Sequence, residues 1–498
     1  MKKVIINATT SERRIAIMEN NQVVEFHIQQ PGHQEIVGNI YSGRVVNVLP
    51  GMQAAFVDIG IKKNGFIHRD QLLSYQLKSI QDGGVQQRSI SEFVHEGEEI
   101  LVQVVKEGVG NKGPKLTGII EIPGTSIIYL PHGNYVAVSR KMKNEAIREN
   151  WRDFGNDVCQ SPEGLIIRTV CEYQKNDILL NELDFLRKRF ESILKKKQRS
   201  ATPGLLFQES DIVERVIREI PHEEISEIVV DHFEMFRQIQ KRFSVNESTT
   251  PETTFYSRKE NIFTNFELDH ELEKALKRIV WLRNGAYIII EHTEALTVID
   301  VNTGKFAGKT SLRETVLNTN IEAAKEISRQ LRLRDIGGMI LVDFIDMKTN
   351  QDQIKVTQTM KNALKSDRTR TRIVGFTELG ILQLTRKKAR QSLETTLTEY
   401  CPECEGRGRV MSSETIAYKA ERELWEYQGM DHEALWLETI QPVLTCLAGK
   451  NNEHLTKLEE ALKFRIYVTE NNQLKTYHIR QIGTRENIEA RMNAIKNN

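Results

Sequence analysis

The 498-residue chain has no apolar run approaching the roughly 18 residues that a membrane span needs. Its first residues, Met1-Lys-Lys-Val-Ile-Ile6, read as a strand and lack the long apolar stretch of a secretory leader. Net charge is almost absent too: 69 Lys and Arg stand against 68 Asp and Glu, leaving +1 at pH 7. Bulk charge therefore argues neither for nor against a polyanionic partner, and any basic surface has to come from local clustering. Cysteine is scarce. Cys159, Cys171, Cys401, Cys404 and Cys446 form an odd set with no export signal, which excludes a disulfide framework as the expectation and points to a reduced, cytoplasmic protein. Internal repeats and low-complexity segments are missing as well. What remains is ordinary globular composition, 39% hydrophobic and 28% charged, on a chain too long for one core.

The expected organisation is multidomain α/β. Residues 1–36 carry three strand-like stretches, with a hairpin turn at residues 19–22. Residues 37–119 hold short strands punctuated by glycine, the pattern of a small OB-type barrel. Phe56 and Phe66 lie on two of these strands and fit either the barrel core or a face on which bases stack. Lys106 and Lys112, taken singly, read as solvated charges. Residues 120–170 contain the Pro123-Gly124 turn, a helix over 145–158 and a strand running into Arg168-Thr169. A guanidinium beside a hydroxyl suits a terminal phosphate, although most Arg-Thr pairs are plain surface. A helix over 175–200 ends in a basic cluster, and residues 205–278 alternate helix and short strand, with one strand at 225–230.

Residues 279–400 carry the densest chemistry. An apolar run ends in Asp300, followed by Val-Asn302-Thr-Gly304. Helical spacing over 312–333 follows, and then a second apolar run closes on Asp343. Carboxylates at the ends of two neighbouring strands are a common way to hold Mg²⁺, which takes a few hard oxygens and keeps waters. Strand-end capping or salt bridging is the competing reading. Asp346, three residues on, falls on the opposite face if the strand continues. Arg368, Arg370, Arg372, Arg386, Lys387, Lys388 and Arg390 suggest a surface that tracks phosphates. Cys401-Pro-Glu-Cys404 has the spacing of half a zinc site, but also of a redox pair or an unliganded one. Residues 416–498 read as a mainly helical tail with one hairpin, residues 464–468 and 474–479, around Asn471-Asn472.

Four stretches, "EALTVIDVNTG", "NTNIEAAKEISRQLRLRDIGG", "LVDFIDM" and "CPECEGRG", resemble the core of the ribonuclease E/G family of bacterial endoribonucleases, and the likeness runs in order from about residue 1 to about residue 410. The chain ends near the end of the family's catalytic half, so the likeness is to the short ribonuclease G type. The resemblance implies an RNase H-like domain (1–36 and, with a connecting helix, 175–278) interrupted by an S1-type barrel (37–119) and a 5′-sensor (120–174). A DNase I-like catalytic domain (279–399), a zinc link (400–415) and a small C-terminal domain (416–498) follow. It further implies that Asp300 and Asp343 bind Mg²⁺ and that Asn302 orients Asp343. Phe56 and Phe66 then stack on RNA, and Lys106 and Lys112 meet phosphate. Arg168, Thr169, Gly124 and Ile128 read a 5′-monophosphate. Cys401 and Cys404 share one Zn²⁺ with a second chain, giving a dimer or a dimer of dimers. The implied activity is single-strand-specific cleavage to 5′-phosphate and 3′-hydroxyl ends, serving ribosomal RNA maturation and messenger RNA turnover. The alternative is an RNA-binding or ribosome-assembly factor that has kept the fold and lost cleavage.

Overall fold

The computed structural model describes all residues except 32–35, 82–87, 109–111, 143, 201, 210, 221–223, 244–250, 305–311, 389 and 497–498. Contacts divide the chain into two units, Met1–Leu397 and Thr398–Asn498.

In the first unit, the apolar run Lys2–Asn7 sits at the centre of a five-stranded sheet. It pairs antiparallel with Arg13–Glu19, which pairs with Gln22–Gln29 across a tight turn. Asn20 and Asn21 both take positive φ there, as a two-residue hairpin turn requires. On its other side Lys2–Asn7 runs parallel to Ile225–Val230, which continues into Glu252–Phe255. Residues more than two hundred positions apart therefore share one sheet, and everything between them is inserted into it.

The first insertion is a closed barrel. Strands Ile40–Leu49, Ala54–Asp58, Gly65–His68, Lys115–Thr117 and Glu99–Lys106 are neighbours in that order, and the last closes on the first. Closure packs the interior tightly. A Cβ on Gly65 would stand 2.4 Å from a Leu116 methyl, so that position needs glycine. The second insertion is a four-stranded sheet in which Gly164–Ile167 lies between Val136–Val138 and Ile127–Leu130, with Ile122–Pro123 outside. The helices Glu145–Val158 and Asn176–Arg199 complete its core.

Residues 279–386 form a six-stranded sheet in the order Ile279–Trp281, Tyr287–His292, Leu296–Asn302, Gly338–Asp343, Ile381–Arg386 and Thr371–Phe376. The helices Leu312–Leu333 and Asn350–Ala363 pack on one face. Ala323, Ala324, Ile327, Leu331, Val356 and Met360 meet Ile288, Ile290, Ile299, Ile340 and Val342 there.

In the second unit the expected hairpin does not form. Arg465–Glu470 and Tyr477–Gly483 both pair with Ala434–Thr439, one parallel and one antiparallel, and lie on its two sides. Ala434–Thr439 is buried along its whole length, as a central strand should be, and its short apolar run lacks the alternation that would have marked it as a strand.

A buried ionic cluster joins the N-terminal sheet to the elements of the six-stranded sheet. Glu25, on Gln22–Gln29, accepts from Arg332 at 3.0 Å and from Arg368, while His27 contacts Arg390. Burial first, then the Arg390 charge, hold the His27 pKa at about 3 against an ordinary 6.5. Burial alone would raise Glu25, but the His27 hydrogen bond and the Arg368 and Arg332 guanidiniums outweigh it and hold that carboxyl well below its usual range. Between these two His27 values the unfolded chain binds a proton that the folded chain refuses, so stability rises with pH across that window. The slope approaches about 1.4 kcal/mol per pH unit for one such group. The Glu25 contribution acts in the same direction but is lost only as pH falls below its unfolded value, about 4.3. Urea midpoints measured from pH 7 down to pH 5 should therefore fall, and His27→Gln should flatten the fall. Identical slopes in the two proteins would show that His27 is not the group responsible.

Candidate active site and nucleic-acid interface

Alternation along two strands builds the acidic centre. In Leu296–Asn302, Thr297, Ile299 and Val301 turn inward, leaving Val298, Asp300 and Asn302 half-exposed on the opposite face. In Gly338–Asp343, Ile340 and Val342 turn inward, leaving Met339, Leu341 and Asp343 outward. The two strands run parallel with Asp300 directly beside Asp343, at the usual strand spacing of about 4.8 Å. Burial, then the charges of Asp300 and Asp346, push the Asp343 carboxyl above its usual range. Two carboxylates that repel each other at the carboxyl ends of parallel strands suit a divalent cation that keeps most of its waters. Among the described residues no group of three or more His, Cys, Asp or Glu gathers as a ligand cage, and a Mg²⁺ site needs only one or two carboxylates.

The structure adds two details to this centre. Asn302 donates its amide to Asp300 Oδ2 at 2.7 Å, because residues two apart on one strand share a face. The strand ends at Asp343, so the alternation that would turn Asp346 away stops there. The chain beyond is held by Asn320 of the facing helix, fully buried, which donates to Ile345 O at 2.7 Å and accepts from Ile345 N at 3.1 Å. Asn320 escaped the sequence reading; an amide inside an otherwise apolar helical face was the available signal.

The arginine-rich stretch is not a uniform phosphate surface. Arg386 is buried between Asp367 and Asp335, both at 2.7 Å, Arg390 pairs with Asp335 at 3.1 Å, and Arg368 holds Glu25. A guanidinium taken out of water needs a carboxylate, and the buried Arg386 and the half-buried Arg368 and Arg390 find theirs inside the fold. Arg370, Arg372, Lys387 and Lys388 remain exposed.

On the barrel, Phe56 and Phe66 are half-buried cross-strand partners with ring centroids 5.9 Å apart in an edge-to-face pair. The barrel core is made instead by Val57, Ile67, Val102, Val104 and Leu116. Register extends the row: Phe66 pairs with Lys115, and Lys115 with Lys106. Lys115, missed in sequence, stands between the rings and Lys106, whereas Lys112 is exposed just before that strand.

In the second insertion, Arg168 donates to Gly124 O at 3.2 Å and Thr125 O at 3.4 Å. Ile128 lies on the adjoining strand, and Thr169 Oγ1 meets Ser139 Oγ at 3.0 Å. Glu182 accepts the N–H groups of Thr125 and Ser126, and Arg242 donates to Thr125 Oγ1 at 2.9 Å. Burial and then the Arg218 charge push the Arg168 pKa down, with Glu219 and Glu182 opposing. Glu182, Arg218 and Arg242 were invisible in sequence because they come from three separate segments.

In the second unit Cys401 is exposed and Cys404 half-buried in a tight turn, where Glu405 N donates to Cys401 O at 2.8 Å. The backbone N–H groups of Cys404 and Glu403 lower the Cys401 thiol pKa. Two sulfurs in one turn fit half of a tetrahedral Zn²⁺ site.

Comparison with known proteins identifies the family. The pattern of the Ribonuclease E/G family matches residues 121–389, and one described as the RNase E/G thioredoxin-like domain matches residues 400–484. The chain belongs to the ribonuclease E/G family, and with it to the endoribonucleases. Ribonuclease G of Haemophilus influenzae is 39% identical over 429 residues, 85% of this chain and 87% of its own length. Ribonuclease G of Escherichia coli K12 is 36% identical over 463 residues, 92% and 94% of the two chains. Ribonuclease E of a Nostoc species is 39% identical over 402 residues, 80% of this chain and 57% of its own.

The division of labour on the barrel is measurable by urea denaturation. Ile67→Ala should cost about 2–5 kcal/mol of stability. Phe66→Ala, one position away, should lose chiefly the edge-to-face pair, about 0.5–1.5 kcal/mol. Equal losses would return the rings to the core.

Proposed function

We propose that the chain is a Mg²⁺-dependent endoribonuclease of the cytoplasm, specific for single strands and acting in ribosomal RNA maturation and messenger RNA turnover. It leaves 5′-phosphate and 3′-hydroxyl ends and favours RNA with a 5′-monophosphate. The observation that carries this reading is the side-by-side placement of Asp300 and Asp343 on the open face of the sheet. Asp300 and Asp343 would hold the ion, and Asn302 would keep Asp300 oriented through its 2.7 Å hydrogen bond. When bound, Mg²⁺ supplies charge neutralisation at the scissile phosphate and a water of lowered pKa.

The protein's own surfaces do the positioning. The row Phe56, Phe66, Lys115 and Lys106 alternates a platform for bases with charges for phosphates, the composition of a single-strand site. At the loop of Gly124 the guanidiniums of Arg168 and Arg242 converge on Thr125, whose N–H is held with that of Ser126 by the Glu182 carboxylate. That donor set supports a phosphate-reading role. Intact acidic residues and an open sheet face favour an enzyme over a silent binding factor. No helix of the described residues is long and apolar enough to cross a membrane.

Cleavage of a short AU-rich RNA with and without Mg²⁺ tests the reading. Asn302→Ala should lower the rate roughly 10–100-fold, as loss of an outer hydrogen bond to a metal ligand does. Asp300→Asn or Asp343→Asn should lower it further while RNA binding persists. Wild-type turnover in either aspartate variant would sink the assignment.

The Zn²⁺ proposal rests on stoichiometry. Each chain offers two thiolates where the ion wants four ligands, so one ion per two chains is expected, held by Cys401 and Cys404 of each. Cys401→Ser with Cys404→Ser should remove the zinc and yield monomers by light scattering. One zinc per wild-type chain would place the remaining ligands within the same chain.

A further inference from the structure

The open face of the catalytic sheet carries more than its acidic centre. Strand Ile279–Trp281 forms its outer edge, and its partner Tyr287–His292 lies against Leu296–Asn302. In this register Trp281 faces Tyr287, and Tyr287 faces Asn302. Direct cross-strand partners project on the same side, so an aromatic pair begins one strand away from the amide that holds Asp300. The two ring centroids are 5.1 Å apart with planes inclined at 53°. Trp281 is 67% exposed, and Ile279, two residues earlier on the same face, is 44% exposed. Neither ring serves the core, which the opposite face builds from Ala286, Ile288 and Ile290. A tryptophan left this open beside a reactive centre calls for an occupant.

We propose that Trp281 and Tyr287 form a nucleobase-stacking subsite, holding one base adjacent to the scissile phosphate. The proposal rests on the reading of Asp300 and Asp343 as the cleavage centre. A flat π surface accepts any base, which suits single strands of varied sequence. With the planes inclined, one ring can lie flat on a base while the other supports it from the side; the more exposed Trp281 is the stacking ring. The apolar strip of Ile279, Trp281, Tyr287 and Ile289 runs directly onto Asp300, since Ile289 is the cross-strand partner of Asp300. A second copy of the chain docking there would have to desolvate that carboxylate without a partner. A polynucleotide brings its phosphate and cation to the same spot.

The test uses a single-stranded AU-rich RNA about ten nucleotides long, with one abasic position moved stepwise across the cleaved bond. With the parent chain, one flanking abasic position should lower kcat/KM by about 5–100-fold. Trp281→Ala should lose a similar factor on the intact RNA and show no further loss with that abasic RNA; Trp281→Phe should recover most of it. An undiminished abasic penalty in Trp281→Ala, or wild-type cleavage of intact RNA by that variant, overturns the subsite. So does a smaller assembly of Trp281→Ala by light scattering, which would make the face a contact between copies. Should the parent chain fail to cleave at all, it is the Asp300 reading that has failed. Fluorescence then decides the subsite: intact RNA should quench the parent more than Trp281→Ala, and equal quenching overturns the proposal.

Discussion

Two carboxylates are held in mutual repulsion by backbone register. The parallel pairing of Leu296–Asn302 with Gly338–Asp343 places the backbone of Asp300 beside that of Asp343, so the two residues stay neighbours as long as the ladder holds. The rest of the six-stranded sheet makes that repulsion sustainable. Helices cover one face, so the strands gain their stability there through Ile299, Val301, Ile340 and Val342. The other face is free to carry charge. Asn302 and Asn320 then fix what the ladder leaves loose, the Asp300 carboxylate and the chain beyond Asp343.

A second set of charges has the opposite purpose. Glu25, Asp335 and Asp367 are paired with Arg332, Arg368, Arg386 and Arg390 in the interior, where breaking one member would strand its partner. This network connects the N-terminal sheet to the helix and strands that carry the acidic centre. The same residue type thus plays two parts within twenty-five positions. Arg370 and Arg372 are left for solvent or a polyanion, while Arg368, Arg386 and Arg390 are consumed by the fold.

The proposed binding surfaces follow a common logic of cross-strand rows. On the barrel, pairing aligns Phe56, Phe66, Lys115 and Lys106; on the catalytic sheet, it aligns Trp281, Tyr287 and Asn302. Each row gathers residues from neighbouring strands onto one stripe. A single polymer can follow such a stripe with bases on the rings and phosphates on the charges.

Sequence by itself determined the period-two alternation that puts Asp300, Asn302 and Asp343 on one kind of face, and the helical spacing of residues 312–333. It also determined the Asn20-Asn21 turn and the paired cysteines of the link. These are local properties, set by side-chain direction and backbone preference within a few residues. Only the tertiary structure decided which strands became neighbours. It put Lys2–Asn7 beside Ile225–Val230, and Ala434–Thr439 between two strands expected to pair with each other. It spent three arginines on carboxylates inside the fold, and brought Lys115, Glu182 and Trp281 beside partners on other strands and loops. Those outcomes depend on contacts between residues distant along the chain. Their charge partners and exposure exist only once the chain has closed on itself.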